Sequence, residues 1–559
     1  MDHQADGTSA ASPHGPGSWI QPRTRSGLIL GLVVFAWHVA YSNFLIDDAY
    51  ISFRYAVNWA SGLGLSFNPG EAPVEGYSNF LWVALLSLAH RIGFELEVAS
   101  RVLSIAASSL LVVLVHRSLV QRSFSSSATT LGTLALVTFP PFATWATGGL
   151  ETSLFALLFF LAIDGLIAPA GCRRSVAALI LAGVALPLVR TDGLAFVGVL
   201  TLATLLAGSP ESRRRLRPFL TVALISGVAY LAWRRSHYGL WVANTVRVKA
   251  DLSTELILRG LKTSASYLVV FGSPLLAAAG ILWARPRTSH APARRFCLAA
   301  TLSFAAFLAY NTLVGGDWMP MFRMLAPASP LLAVIIAGLV DRLGRARGPA
   351  LGLLAITIAI LPSFNLCAAP TALREGLAFR SFKTGYQTER ERWQRGVQNL
   401  TNFIQIGKGL AQVAPAGSSF TAGAIGAIGY HSGLHIFDRN GLVEPTVAKL
   451  PASAETRSAG HDKRVPRAFF LDRAPTYFEA VITPQSIPGP NSPAFNQAAH
   501  YIGRLVLTEP GEGPLRDHCL PETHALRPEP GIPGGSTLIL LRATDDTQRA
   551  REVWKSLDL

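Results

Sequence analysis

Two adjacent carboxylates, Asp47 and Asp48, stand at the exit of the first long apolar run, at the head of the segment IDDAYISFRYAVNWASGLGLSFNPGEAPVEGYSNFLW (46–82). Ionisable groups at the end of an apolar helix are costly and usually functional. The spacing predicts a short helix from here to Gly62 or Gly64, where glycine suits a C-cap. On it Asp47, Ile51 and Arg54 share one face, while Asp48 lines up with Ser52 and Tyr55. Two carboxylates this close resist joint ionisation unless a cation intervenes, and Arg54 is placed to be that cation. Such a pair suits a general base that takes a proton from a hydroxyl. A plain helix cap would also use an aspartate here, but it needs only one and leaves Arg54 unexplained.

Three further polar motifs interrupt apolar sequence. Gly148-Gly149-Leu150-Glu151 puts an acid at the outer end of a span, where Glu151 either meets an acceptor, orients the first loop or satisfies helix amides. Arg190-Thr191-Asp192-Gly193 breaks a helix; charges there either line a cavity or neutralise each other. In Gly315-Gly316-Asp317-Trp318-Met319-Pro320-Met321-Phe322-Arg323, the arginine suits bidentate grip on a phosphate. The alternative is a loop locked by an Asp317–Arg323 pair, with Trp318 as interfacial anchor. Further along, GAIGYHSG (426–433) and GHDK (460–463) offer His431, His461 and Lys463 to an anionic group. Their glycines match neither dinucleotide nor P-loop spacing.

The elements that must position these residues follow from composition. Of 559 residues 50% are apolar and 15% charged, with mean hydropathy +0.35. Soluble proteins carry about 25% charged residues. The apolar blocks approach the length that crosses a hydrocarbon core, so the chain is a polytopic membrane protein. Beyond a first span at about 26–45, span starts fall near Val98, Ala128, Leu150, Ser175, Gly193, Arg217, Ala265, Arg294, Leu325 and Gly348, about eleven helices in all. The net charge of +15 comes from arginines clustered between alternate spans: Arg117/Arg122, Arg173/Arg174, Arg213–Arg215 with Arg217, Arg285/Arg287/Arg294/Arg295 and Arg342/Arg345/Arg347. They share one side only if residues 78–93 lie in the interface instead of crossing it, and the positive-inside rule then makes that side cytoplasmic. The basicity thus reports topology, and nucleic acid is excluded as a partner.

The resulting plan is a disordered cytoplasmic tail (1–25), a transmembrane module (26–372) with a first outer loop carrying juxtamembrane helices (46–97), and an extracytoplasmic domain (373–559). That last part is dense in charge, Pro and Gly, reads as mixed α/β, and shows β-like runs at Ser418–Ala424, Leu434–Asp438 and Ser536–Arg542. Four cysteines (Cys172, Cys297, Cys367, Cys519) show no CxxC or zinc spacing; Cys367 and Cys519 share the outer compartment and are the one candidate bridge.

The 46–82 segment, with GGLET (148–152), RTDG (190–193), GGDWMP…R (315–323), GAIGYHSG…DRNGL (426–442) and GHDK…LDRAP (460–475), resembles the GT-C class of membrane glycosyltransferases. Within that class it is most similar to the terminal β-(1→2) arabinofuranosyltransferase group. The resemblance runs through most of the chain in the same order. It implies a GT-C fold in the bacterial cytoplasmic membrane and a polyprenyl-phosphate-linked sugar as donor. The acceptor it implies is a cell-envelope glycan or glycolipid, with an aspartate of the first outer loop as base. Asp47 and Asp48 both match that position, with Asp47 favoured by its shared face with Arg54. Donor phosphate then falls to Arg54, Arg190, Arg323 or Lys463, and substrate positioning to Glu75, Tyr77, Glu151, Asp192, Asp317, His431 and His461. The Val74-Glu75-Gly76-Tyr77-Ser78 stretch departs from mycobacterial arabinan enzymes, which leaves another pentose or a hexose open. Oligosaccharyltransferases of this architecture use a divalent metal and many monosaccharide transferases do not; an aspartate pair is compatible with either. The rival without chemistry is a flippase or transporter of lipid-linked sugar, to which the broken helix at Arg190 also lends itself.

Overall fold

The computed structural model describes residues 22–169, 176–248, 253–272, 291–376, 387–451, 463–487 and 492–559. The first apolar run forms α1 (Pro22–Tyr41), and the chain restarts as α2 (Asp47–Ala60) with both aspartates in its first turn. Tyr50, Phe53, Arg54 and Tyr55 of α2 are buried, so protein encloses this helix. α3 (Phe80–Arg91) has 12 residues. At 1.5 Å per residue that is about 18 Å, short of the ~30 Å hydrocarbon core.

The bundle continues through α4 (Leu96–Gln121), α5 (Ser126–Val137), α6 (Pro140–Trp145), α7 (Thr152–Leu166), α8 (Val176–Val189), α9 (Gly193–Ala207) and α10 (Pro210–Tyr238). It closes with α11 (Asn244–Arg247), α12 (Thr254–Phe271), α13 (Ala291–Leu313) and α14 (Ser329–Ile360). Five stretches among the described residues are long and apolar enough to cross a membrane alone: Thr24–Tyr41, Leu96–Gln121, Pro210–Tyr238, Ala291–Leu313 and Ala326–Phe364. Five shorter apolar helices (α3, α5, α7, α8 and α9) fill the bundle between them. The roughly eleven spans expected from hydropathy are uneven in length, because Pro140 and the Arg190–Asp192 break cut two runs short. The expected span from Ala265 falls partly on residues outside those described.

α14 is two helices. Gly344 has φ 71° and ψ −173°, and a Cβ built on Gly348 would lie 2.1 Å from the carbonyl oxygen of Val340. Residues eight apart on a continuous helix are about 12 Å apart. The chain therefore doubles back at Gly344, which explains why hydropathy gives separate starts at Leu325 and Gly348.

After α15 (Thr371–Gly376) the C-terminal domain opens with α16 (Glu389–Val413), started by a capping box between Thr388 and Glu391. Its sheet has the order β2-β1-β3-β5-β4, with β1 Ser419–Ala422, β2 His435–Asp438, β3 Tyr477–Thr483, β4 Cys519–Ala525 and β5 Thr537–Ala543. β1 runs parallel to β2 and β3, while β5 pairs antiparallel with β3 and β4. Between β1 and β2 lies α17 (Gly426–Ser432), the helix that meets α2. Cys519 is buried with Sγ against the Leu515 carbonyl and Cys367 lies against that of Val270; both are free thiols, so the candidate bridge is not formed.

Candidate functional site

The two aspartates point to different neighbours. Asp47 accepts hydrogen bonds from the Gly426 and Ala427 amides (3.2 and 2.8 Å), completing the first turn of α17. Burial pushes its pKa up to about 6, with the Ala427 amide pulling the other way and the Asp48 charge adding to the rise. Asp48, one position on, is partly exposed and makes no hydrogen bond or ion pair among the described residues.

Arg54 does not bridge the carboxylates. Its Nε donates to Phe67 O (2.7 Å), Nη1 to Gly429 O (2.6 Å), and Nη2 to Leu434 O (2.7 Å) and Asn68 Oδ1 (3.3 Å). With its fork spent on four acceptors and its side chain buried, it is a clamp between α2 and α17, and the expected phosphate role is corrected accordingly. Arg54→Lys should lower thermal stability by about 2 kcal/mol or more, because a compact tetrahedral ammonium cannot match the planar fork that reaches three separated buried carbonyls. A melting curve that overlays the wild type would refute this assignment.

On the Asp48 face of α2, Ser52 exchanges hydrogen bonds with Asn79 (3.1 and 3.3 Å), and Asn79 Nδ2 donates to Glu151 Oε2 (2.9 Å). Glu151 is fully buried and receives two arginines. Arg190 Nη1 reaches Oε1 at 3.1 Å, and Arg323 Nη2 reaches Oε1 and Oε2 at 2.8 and 3.0 Å. Arg190 also grips Asp192 bidentately (2.8 and 2.7 Å), and the Tyr310 hydroxyl donates to that carboxylate at 2.5 Å. Three motifs separate in sequence thus form one network. The arginine side chains keep 14% and 13% of their surface exposed, and Arg323 Nε and Nη1 lie 3.5 Å from Thr152 Oγ1 and 3.7 Å from Met319 Sδ.

The local backbone aims these groups. Asp317 does not pair with Arg323; its carboxylate takes the Met319 and Met324 amides, both at 2.9 Å. Glu389 of α16 accepts from the Met321 amide (2.6 Å), and Trp145 Nε1 donates to Pro320 O (3.1 Å). Met321 and Phe322 hold φ of 52° and 49°, a strained pair that sets the direction of Arg323. The Glu151 loop lies against α2 through Gly149 (φ 80°), where a Cβ would sit 2.7 Å from Cβ of Ala49. Gly149→Ala should therefore destabilise the protein by more than about 1 kcal/mol in a thermal-shift assay; an unchanged melting temperature would contradict this packing.

The other expected residues lie apart from this network. Glu75 is buried against Arg234 (2.7 Å) and the Tyr230 hydroxyl (2.9 Å), and the Tyr77 hydroxyl meets that of Tyr238 (3.0 Å), so both fasten the first loop to α10. Lys463 Nζ donates to the carbonyls of Arg247 and Ala448, both at 3.0 Å, away from the arginine pair. His431 packs beside Tyr50 and Tyr430, and burial lowers its pKa to about 4, so the imidazole is neutral at neutral pH. Neither residue supplies the anion-binding cation expected of it. His461 lies outside the described residues. Among the described residues no three His, Cys, Asp or Glu side chains gather as a metal-ligand set.

Sequence reasoning missed Asn79 and Tyr310, whose signal was a polar residue next to or inside an apolar run, and gave Ser52 no role beyond its place on the Asp48 face. It also missed an apolar groove of about 450 Å³ between α3, α8 and α10, lined by Phe80, Val184, Leu188, Val222, Tyr230 and Trp233. Its lining residues Phe80 and Leu188 lie one and two positions along the chain from Asn79 and Arg190 of the network, and Val184 is 38% exposed.

Comparison with solved structures places the architecture. ArnT from Cupriavidus metallidurans bound to undecaprenyl phosphate matches with TM-score 0.53 and 15% identity, over 92% of this chain and 97% of that one. Its apo state matches with the same figures. The oligosaccharyltransferase AglB from Archaeoglobus fulgidus, in complex with an inhibitory peptide and a dolichol-phosphate, matches at TM-score 0.49 and 12% identity, over 94% and 77% of the two chains. The chain is a multi-pass membrane protein of the GT-C fold with a C-terminal α/β domain. A family model described as a domain of unknown function (DUF8728) matches residues 387–520, within that α/β domain. No curated protein matches the chain.

Proposed function

We propose that the protein is an inverting glycosyltransferase that moves a sugar from a polyprenyl phosphate to a cell-envelope glycan or glycolipid on the outer side of the cytoplasmic membrane. Fold alone does not carry an activity. The carrying observation is that Asp48 stands one turn, about 6 Å along α2, from Ser52, which leads through Asn79 and Glu151 to Arg190 and Arg323. An unengaged carboxylate and two anchored guanidinium groups share one side of a helix beside an apolar groove. The bound undecaprenyl phosphate of the ArnT structure is consistent with such a groove holding a prenyl chain.

In this reading Asp48 accepts the proton of an acceptor hydroxyl as its oxygen bonds to the anomeric carbon. The bond from that carbon to the phosphate oxygen breaks with inversion, and the departing electron pair stays on polyprenyl phosphate. Arg323 and Arg190, held rigid by Glu151 and Asp192, receive the phosphate without reorganising. Asp47 and Arg54 keep α2 in place. Glu75, Tyr77 and Asp317 position loops, and His431 forms an uncharged wall.

For the sugar we propose arabinofuranose, on the motif resemblance of the first outer loop. Purified protein incubated with decaprenyl-phosphate arabinose, other polyprenyl-phosphate sugars and arabinan-like acceptors should release free polyprenyl phosphate from the arabinose donor. Release from a different donor would replace the sugar, and no release from any donor would overturn the transferase reading.

A further inference from the structure

A second cavity lies at the opposite end of the bundle. It measures about 530 Å³, and its charged lining is Arg294 and Arg295 of α13 with Asp341 and Arg342 of α14. Phe124, Leu206, Leu298, Ile335 and Leu339 form the apolar part of its wall. α9 runs from Gly193, beside the Arg190–Asp192 pair, to Ala207 at this cavity, 15 residues or about 22 Å away. α13 runs from the same cavity to Leu313, close to the Arg323 loop, 23 residues or about 34 Å away. The cavity is therefore on the membrane face opposite the carboxylate pair and is not the donor phosphate site.

Its chemistry is that of an amphiphile. Asp341 already accepts from the Ser125 amide (3.0 Å), and three arginines leave the rim cationic. Arg294 and Arg295 are exposed, and the start of α13 adds the positive end of a helix. Leu206 and Leu298, exposed by 60% and 46%, continue the apolar wall onto the outer surface of the bundle. A free phosphate would use the arginines but not that wall. Basic pockets between transmembrane helices at the cytoplasmic boundary suit anionic lipid head groups.

We propose that this cavity binds an anionic phospholipid of the arginine-rich, cytoplasmic leaflet, with its phosphate on Arg294, Arg295 and Arg342 and an acyl chain along Leu206 and Leu298. The inference does not depend on the proposed reaction. The test is native mass spectrometry of the full-length protein with phosphatidylglycerol, cardiolipin or phosphatidylcholine. The wild type should retain the anionic lipids over phosphatidylcholine, and Arg294→Gln/Arg295→Gln should weaken that retention at least about tenfold. A control with Arg213→Gln/Arg214→Gln, outside the cavity, should bind as the wild type does. Both pairs are largely at the surface, and melting temperatures confirm folding; Leu298→Trp, which fills the apolar wall, provides a second variant that should also lose the lipid. Equal retention by wild type and the Arg294/Arg295 variant, or equal binding of phosphatidylcholine, would overturn the proposal. Displacement by millimolar inorganic phosphate would reassign the cavity to a free anion, and preferential retention of undecaprenyl phosphate would reassign it to the carrier lipid.

Discussion

Asp48→Asn should lower sugar transfer by about 10²–10⁴-fold, the usual contribution of a positioned general base, while donor binding stays near wild type. Asp47→Asn should keep the rate within about tenfold, because an amide oxygen can still accept from the head of α17. The pair separates two roles that adjacent identical residues conceal. Asp47 also brings a pH signature. Its folded pKa of about 6 lies above its ordinary 3.8, so the folded state holds its proton more tightly. The resulting stability is fully present below about pH 4 and is lost as pH rises through 6. Asp47→Asn should flatten the melting temperature across that window, and Asp48→Asn, which removes a lesser contributor to the rise, should shrink the slope without abolishing it. Full transfer by Asp48→Asn would move the base elsewhere.

The second large effect belongs to Glu151. Buried between Arg190 and Arg323, it compensates two cations at once. Truncation to Ala strips Arg323 of its carboxylate and leaves Arg190 to Asp192 alone. Breaking a buried pair by removing one partner typically costs about 3–5 kcal/mol. Glu151→Ala should therefore fall in that range by thermal or chemical unfolding in detergent. Adding Arg323→Met removes the stranded charge and should recover about 1 kcal/mol or more, a coupling that a double-mutant cycle reads directly. If Glu151→Ala costs less than about 1 kcal/mol, the network is not what holds the arginines.

Much of this was legible before the structure. Each charged member of the network lies in a motif that stands out as charge inside apolar sequence: Glu151 after two glycines, Arg190 and Asp192 in a helix break, Arg323 after a Gly-Gly turn. What sequence could not show is that they meet, since Arg190 and Arg323 lie 39 and 172 residues from Glu151. Helical periodicity put Asp48 with Ser52 and Asp47 with Arg54, and both groupings hold on α2. The error was to expect Arg54 to seek a carboxylate; it is buried where backbone carbonyls lack donors, and those took it. In the C-terminal domain β1, β2 and β5 are apolar enough to be read as strands. β4 was missed because CLPETHA carries a proline and half-buried polar residues, whereas YFEAVIT, rich in aromatic and β-branched residues, carries a strand signal that was passed over.

The seven-residue helix Gly426–Ser432 is far below the length that holds together by itself in water. Its first amides are satisfied by Asp47 and its later carbonyls by Arg54, both made almost 380 residues earlier in synthesis. The order of assembly follows from that. The β1–α17–β2 unit is completed by its contacts with α2, so a segment made late in synthesis takes part of its shape from one of the first. Outer domains grafted from a relative would carry their own helix but meet a foreign α2. Recombination between such proteins should succeed only where the crossover brings both partners of this contact along together.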